Sequence, residues 1–196
     1  MACLKVRQAS YFYGMTDLFL ASLARTLNMT LNRQQGDAIR LLLNECLTNE
    51  VTDLRQIAYV LATVWHESRF KSIREIRAKP GTKLRKVQDK YWFTGYFGRG
   101  FVQITWLKNY KKFSPLVGVD LVNFPDKCLE AEISAKITVI GMKFGLFTGV
   151  GLSVYFPENG DPRFLSARRI INGTDKAQLI ATAAYKIWGL LKEFEK

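Results

Sequence analysis

The chain has 196 residues, 48% of them hydrophobic and 23% charged, which suffices for one sizeable core and excludes a largely disordered polymer. Twenty-nine basic residues against 17 acidic ones leave a formal net charge of +12. Such an excess suits an anionic partner (nucleic acid, a lipid headgroup surface or an anionic wall polymer), with plain solubility as the bland alternative.

Three cysteines, Cys3, Cys46 and Cys128, are odd in number and far apart, with neither a disulfide framework nor a metal-ligand spacing. A fold independent of bridges, assembled in a reducing cytoplasm, is expected. At the N-terminus Lys5 and Arg7 precede an apolar stretch, a faint signal-peptide pattern. Asp17 interrupts that stretch and no small-residue cleavage site follows, so a soluble helix over 16–27 is predicted. Residues 1–14 are an extension if Met15 is the natural start. No run reaches the roughly 18 uncharged apolar residues of a membrane span; the best, 137–152, contains Lys143 and several glycines.

Apolar positions 38, 39, 41, 42, 43, 46 and 47 predict a helix over 37–47. Thr52 or Asp53 can cap the next helix, whose apolar positions 54, 57, 58, 60, 61, 64 and 65 form a buried stripe ending near Glu67. Residues 69–90 hold nine Lys or Arg against two acids, with Pro80-Gly81 as a turn signal, and residues 69–95 read as a basic loop or small lobe. The aromatic and glycine-rich YWFTGYFGRGFVQITWLKNY (91–110) contains a short β-like piece at 101–105. Helices are predicted over 130–147, 166–171 and, capped by Asp175, 176–194. With no repeats and no low-complexity tract, the sum is one mainly α domain with a minor β element.

The segment VLATVWHESRF (60–70) sets His66 beside Glu67 where the apolar pattern runs out. A metalloprotease helix needs a second histidine at i+4; Phe70 stands there, and His66 is the chain's only histidine. No metal and no cofactor are therefore expected. No G-x-S-x-G elbow, P-loop or dinucleotide fingerprint is present. Glu67 sits at a helix C-terminus near Val64, Trp65 and Phe70, and both the macrodipole and the apolar setting favour the protonated form that a general acid needs. The plain alternative is a surface glutamate. Glycoside hydrolysis requires a second carboxylate, and Glu75 in KSIREIR is the nearest candidate, with Arg74 and Arg77 expected to keep it ionised. An ordinary ion pair in a charged loop is its alternative. GYFGRGFVQITW offers aromatic faces, with Gln103 and Thr105 on one side of a strand. This mixture suits a sugar cleft, single-stranded nucleic acid, or simply a core hairpin.

HES (66–68), IREI (73–76), YFGRGFVQITWLKNY (96–110), GMKFGLFTG (141–149) and ARRIINGTDKAQLIA (167–181), in this order, resemble the family 19 glycoside hydrolases, and most of all their phage endolysin branch. The resemblance runs from about residue 54 to the end. It implies a lysozyme-like, two-lobed helical domain with a central cleft, and inverting hydrolysis of β-1,4 bonds in N-acetylglucosamine-containing polymers. It implies Glu67 as general acid, Glu75 as the base, and Thr105 as a holder of the attacking water. Gln103, Asn109 and Asn172 match cleft residues and Tyr96 and Arg99 fall in the same family segment; these five, with His66 packing or orienting beside the acid, are the expected substrate-binding residues. Departures are the HESRF continuation in place of H-E-T-G-G, the lack of a disulfide framework, and an early last-helix arginine of plant members replaced by Lys176 or Gln178.

The expected function is thus a monomeric endolysin acting on peptidoglycan glycan strands, without nucleic acid. It would be made in a host cytoplasm and act in the periplasm after holin-type release. The amphipathic last helix, with Lys176, Lys186, Lys192 and Lys196, is a candidate contact for an anionic membrane, or else a core-packing helix. A chitinase, and a non-catalytic binder of wall or nucleic acid, are the alternatives.

Overall fold

The computed structural model describes residues 17–195. The expectations for Cys3, Met15 and the 1–14 extension lie outside them. Helices dominate: α1 (Asp17–Thr26), α2 (Arg33–Thr48), α3 (Leu54–Ser68), α4 (Lys83–Gln88), α5 (Leu107–Val117), α6 (Ala131–Lys143), α7 (Leu152–Tyr155) and α8 (Ala177–Phe194). Single tight helical turns occupy Trp92–Thr94, Pro125–Leu129 and Ser166–Ile170. Two short strands, β1 (Ile73–Arg74) and β2 (Arg99–Gly100), pair antiparallel with Ile73 opposite Gly100. The mainly α class with a minor β element is as the sequence predicts.

The centre is α3. Every residue from Ile57 to Trp65 is buried, so this is a helix packed on all sides rather than the one-sided stripe predicted. Ala58, Ala62 and Thr63 make that possible, because small side chains on the remaining faces let neighbours close in. The Asp53 side chain caps it by accepting from Arg55 N–H at 2.8 Å, and Arg55 ties the same end to the Pro157 and Gly160 carbonyls. α8 packs along α3, with Ile180, Ala184, Ile187 and Leu191 buried, while α2 packs on α6 and α1 on α8. The residues Ile180, Ala184, Ile187 and Leu191 of α8 thus lie inside the core, while Leu179 and Tyr185 remain exposed.

Other boundaries differ for local reasons. α2 starts four residues early because Asn32 and Gln35 form a reciprocal capping box. α6 stops at Lys143, and the positive φ of Gly145 (67°) turns the chain against the backbone of Val150 and Gly151. α8 begins at Ala177 without a side-chain cap, and Asp175 instead offers its carbonyl to Arg168 Nε at 2.9 Å. Residues 101–105 are not a strand. Gly100 (φ 82°) and Gln103 (φ 54°) reverse the chain in the left-handed region, leaving only Ile104 bridged to Arg99.

Residues 73–106 form a small lobe on this body. Its seam is Asp126, which receives Arg74 at 2.5 Å and buried Arg99 at 2.7 Å. Ser134 Oγ in α6 accepts from Phe101 N–H at 2.7 Å. A Cβ on Gly100 would lie 2.6 Å from that hydroxyl. Gly100→Ala is expected to lower stability by about 1–3 kcal/mol in urea denaturation, combining left-handed strain with a clash at the seam. Gly95→Ala, at similar φ but with open space around it, should lose only the strain, about 1 kcal/mol.

Candidate active site

The sequence candidates separate into two hydrogen-bonded groups, one at the end of α3 and one in the small lobe. α3 ends because Arg69 (φ 54°) and Phe70 (φ 57°) both take left-handed conformations. Two such residues cost roughly 1–2 kcal/mol each. Burial of Phe70 and a 2.7 Å bond from Gln35 Nε2 to the Arg69 carbonyl offset that cost. The last turn thereby leaves His66 and Glu67 half-buried at the core surface.

Glu67 is 20% exposed, and its Oε1 accepts from Arg168 at 2.5 Å. Among the described residues nothing hydrogen-bonds its Oε2. Arg168 is buried in the Ser166–Ile170 turn, with its Nε on the Asp175 carbonyl. The arginine therefore fixes one carboxylate oxygen and leaves the other for chemistry. It lies inside the quoted ARRIING stretch, but nothing in the spacing says that it folds back onto residue 67. Asn172 is exposed next to it, donating its backbone N–H to the Arg168 carbonyl and accepting from Gly173 N–H.

Glu75 follows β1 and is held by three neutral donors. Gln88 Nε2 (2.9 Å) and Tyr91 Oη (2.7 Å) donate to Oε1, and Gly98 N–H (2.8 Å) donates to Oε2. The flanking arginines expected to do this work elsewhere: Arg74 on Asp126, and Arg77 on Asp89. Three donors hold both oxygens of the carboxylate in place. Burial, and then the bond to Glu75, push the Tyr91 phenol well above its ordinary value, so it remains a donor. Gly98 is required, since a Cβ there would sit 3.2 Å from Glu75 Oε2 and 2.8 Å from Gln103 Oε1. Tyr91 and Gln88 lie sixteen and thirteen residues away in the chain, and no local pattern announces them.

Gln103 donates to the Ile73 and Gly100 carbonyls and so pins the turn to β1. Thr105 Oγ1 donates to the Gln103 carbonyl, and Asn109 Nδ2 donates to the Thr105 carbonyl at 2.7 Å. Next to them Trp106, 40% exposed, crosses the Tyr91 ring edge-on at 4.9 Å. Tyr96 and Arg99 stand behind this surface. Tyr96 donates to the Val122 carbonyl, and Arg99, 4% exposed, bonds Asp126, the Gly95 and Phe97 carbonyls and the Tyr110 hydroxyl. Their side-chain bonds hold the lobe together.

No known family profile and no curated protein matches the sequence. Two solved structures do resemble the fold. A mutant of chitinase C overlays with a TM-score of 0.57 at 16% identity, over 89% of this chain and 90% of that one. A family 19, class IV chitinase from Zea mays overlays with a TM-score of 0.52 at 19% identity, over 87% and 90%. The fold is that of the family 19 chitinases. At these identities the likeness is one of architecture, and it covers nearly the whole of each chain.

Burial lowers the pKa of His66; the Glu67 charge works against this, and Arg168 and Arg69 add to it. The imidazole is thus neutral at pH 7. Its unfolded counterpart takes up a proton first as pH falls, near the ordinary value of about 6.5. Its contribution to stability is present above that value and is lost as pH falls toward the lower folded value. Because the chain has a single histidine, one resonance reports it. In NMR titration Glu67→Gln should lower this pKa further and Arg168→Met should raise it; the opposite order would exclude the Glu67–Arg168–His66 electrostatic arrangement.

Proposed function

We propose that this protein is a glycoside hydrolase of the inverting type that cleaves β-1,4 bonds in bacterial peptidoglycan, as a phage-type endolysin does. The observation that carries the proposal is the pair of differently held glutamates: Glu67 anchored through one oxygen by Arg168, and Glu75 cradled by three neutral donors. Glu75 is the base. A water bound to it attacks the anomeric carbon while Glu75 takes the proton. Glu67 is the acid, giving a proton from Oε2 to the departing glycosidic oxygen. A bound glycan excludes water from Oε2, so that the proton passes to the glycosidic oxygen and not to solvent.

Thr105, Asn109 and the exposed edge of Trp106 offer polar and stacking contacts to the sugar. The excess of 12 positive charges supports an anionic wall polymer as substrate. In this reading the enzyme is made in the host cytoplasm and meets the wall after holin-type release. Hydrolysis of chitin is the second reading, favoured by the names of the two structures that share the fold.

Glu67→Gln keeps an acceptor for Arg168 while removing the proton, and should reduce turnover about 10²–10⁴-fold with binding retained. Mass spectrometry of reducing ends from purified peptidoglycan and from chitin oligomers, wild type beside variant, is the test. Muramic acid ends lost in the variant support a muramidase, glucosamine ends a glucosaminidase, and ends from chitin alone the second reading. Absence of new ends from either polymer sinks the hydrolase. For the base, azide should restore turnover to Glu75→Ala as a glycosyl azide and should leave Glu67→Ala unrescued; rescue of the second alone would exchange the two roles.

A further inference from the structure

The small lobe carries a second feature that hydrolysis leaves unexplained. Five of the fourteen large apolar side chains that are exposed among the described residues fall between Ile73 and Phe93. Ile76 is 85% exposed and Phe93 79%, with Leu84 and Val87 about half exposed. Leu84 and Val87 lie three apart on α4 and so share one side of it, next to buried Gln88. Ile76 joins them because its carbonyl accepts from Gln88 Nε2, and Arg77 lies over the Phe93 ring at 4.5 Å.

Lysines border this patch. The acids of the lobe are already satisfied: Asp89 by Arg77 and Arg85, and Glu75 by its three donors. Lys79, Lys83, Lys86 and Lys90 are exposed and have no ion pair among the described residues. Lys83 and Lys86 belong to α4, and Lys90 lies two residues past its end.

We infer that residues 76–93 form a docking surface for an anionic lipid bilayer, with Ile76, Leu84, Val87 and Phe93 entering the headgroup region and the four lysines meeting lipid phosphates. Apolar side chains rimmed by lysines whose stems are themselves apolar fit that interface. A second copy of the chain would bring four unpaired lysines against four more. A glycan could stack on Phe93 but gives three aliphatic side chains nothing to enter. The inference is independent of the hydrolase proposal, because lipid vesicles contain no glycosidic bond.

The test is co-sedimentation of the full chain with vesicles of phosphatidylglycerol and phosphatidylethanolamine, beside vesicles of phosphatidylcholine alone. Binding to the anionic vesicles is expected, with part of it surviving high salt. The Ile76→Ser/Phe93→Ser double variant should bind about tenfold more weakly. Phe144→Ser, which removes an exposed phenylalanine from the far end of α6, should bind as wild type does. Thermal melting checks that each variant is folded, and Phe93→Trp should show quenching by brominated lipid. Absence of binding, equal binding to both lipid types, or an unaffected double variant held by salt-sensitive charge alone would overturn the inference. So would loss of affinity for purified peptidoglycan in the double variant with vesicle binding intact, which would make the patch a glycan contact.

Discussion

Burial of α3 on every side constrains all that surrounds it. Nine successive residues face other protein, so the helix presents no flank on which a polar group could be placed. Its C-terminal turn is where the chain reaches the surface again, and His66 and Glu67 stand there. The carboxylate emerges with its backbone clamped by the best-packed element of the fold and with α8 laid along the same helix. The two left-handed residues that follow turn the chain away at once, so that it enters the small lobe instead of continuing along the axis. Arg168 completes the arrangement from a distant part of the sequence and couples the last third of the chain to the end of α3.

The two glutamates are held in opposite ways. Glu67 meets one buried cation and keeps an unbonded oxygen. Glu75 meets no cation and has both oxygens engaged by neutral donors. One partner leaves the second oxygen of Glu67 open to a substrate, whereas three donors hold the Glu75 carboxylate in one orientation. Arg99 and Asp126 support the second arrangement from behind, by fixing the turn from which Gly98 donates. Loss of Asp126 would leave a buried guanidinium without its counter-ion, which is far more damaging than loss of an exposed pair.

Much of this was legible in the residues themselves. Helix periodicity located α2, α3, α6 and α8, and Asp53 was recognisable as a cap. The order of the HES, IREI and GRGFVQITW segments pointed to the architecture that the solved chitinases share. Local readings failed where a distant partner competed. Asp175 looked like a cap, but Arg168 engages its carbonyl. Arg74 and Arg77 looked like partners for Glu75, yet Asp126 and Asp89 are better placed to receive them. Residues 101–105 alternate like a strand, while positive φ at Gly100 and Gln103 makes them a turn. In each case sequence spacing supplied the residue types, and contacts across tens of residues decided their use.

Gln88 has a consequence of its own. It is fully buried, and its one amide donates to Glu75 and to the Ile76 carbonyl while accepting from Ala78 N–H. The same residue closes α4, the helix that carries Leu84, Val87 and the lysines. Surface helix and carboxylate are thus joined by a single rigid strut. A load applied to α4 from outside reaches Glu75 without passing through any flexible loop, so whatever the lobe rests against also sets the position of that carboxylate.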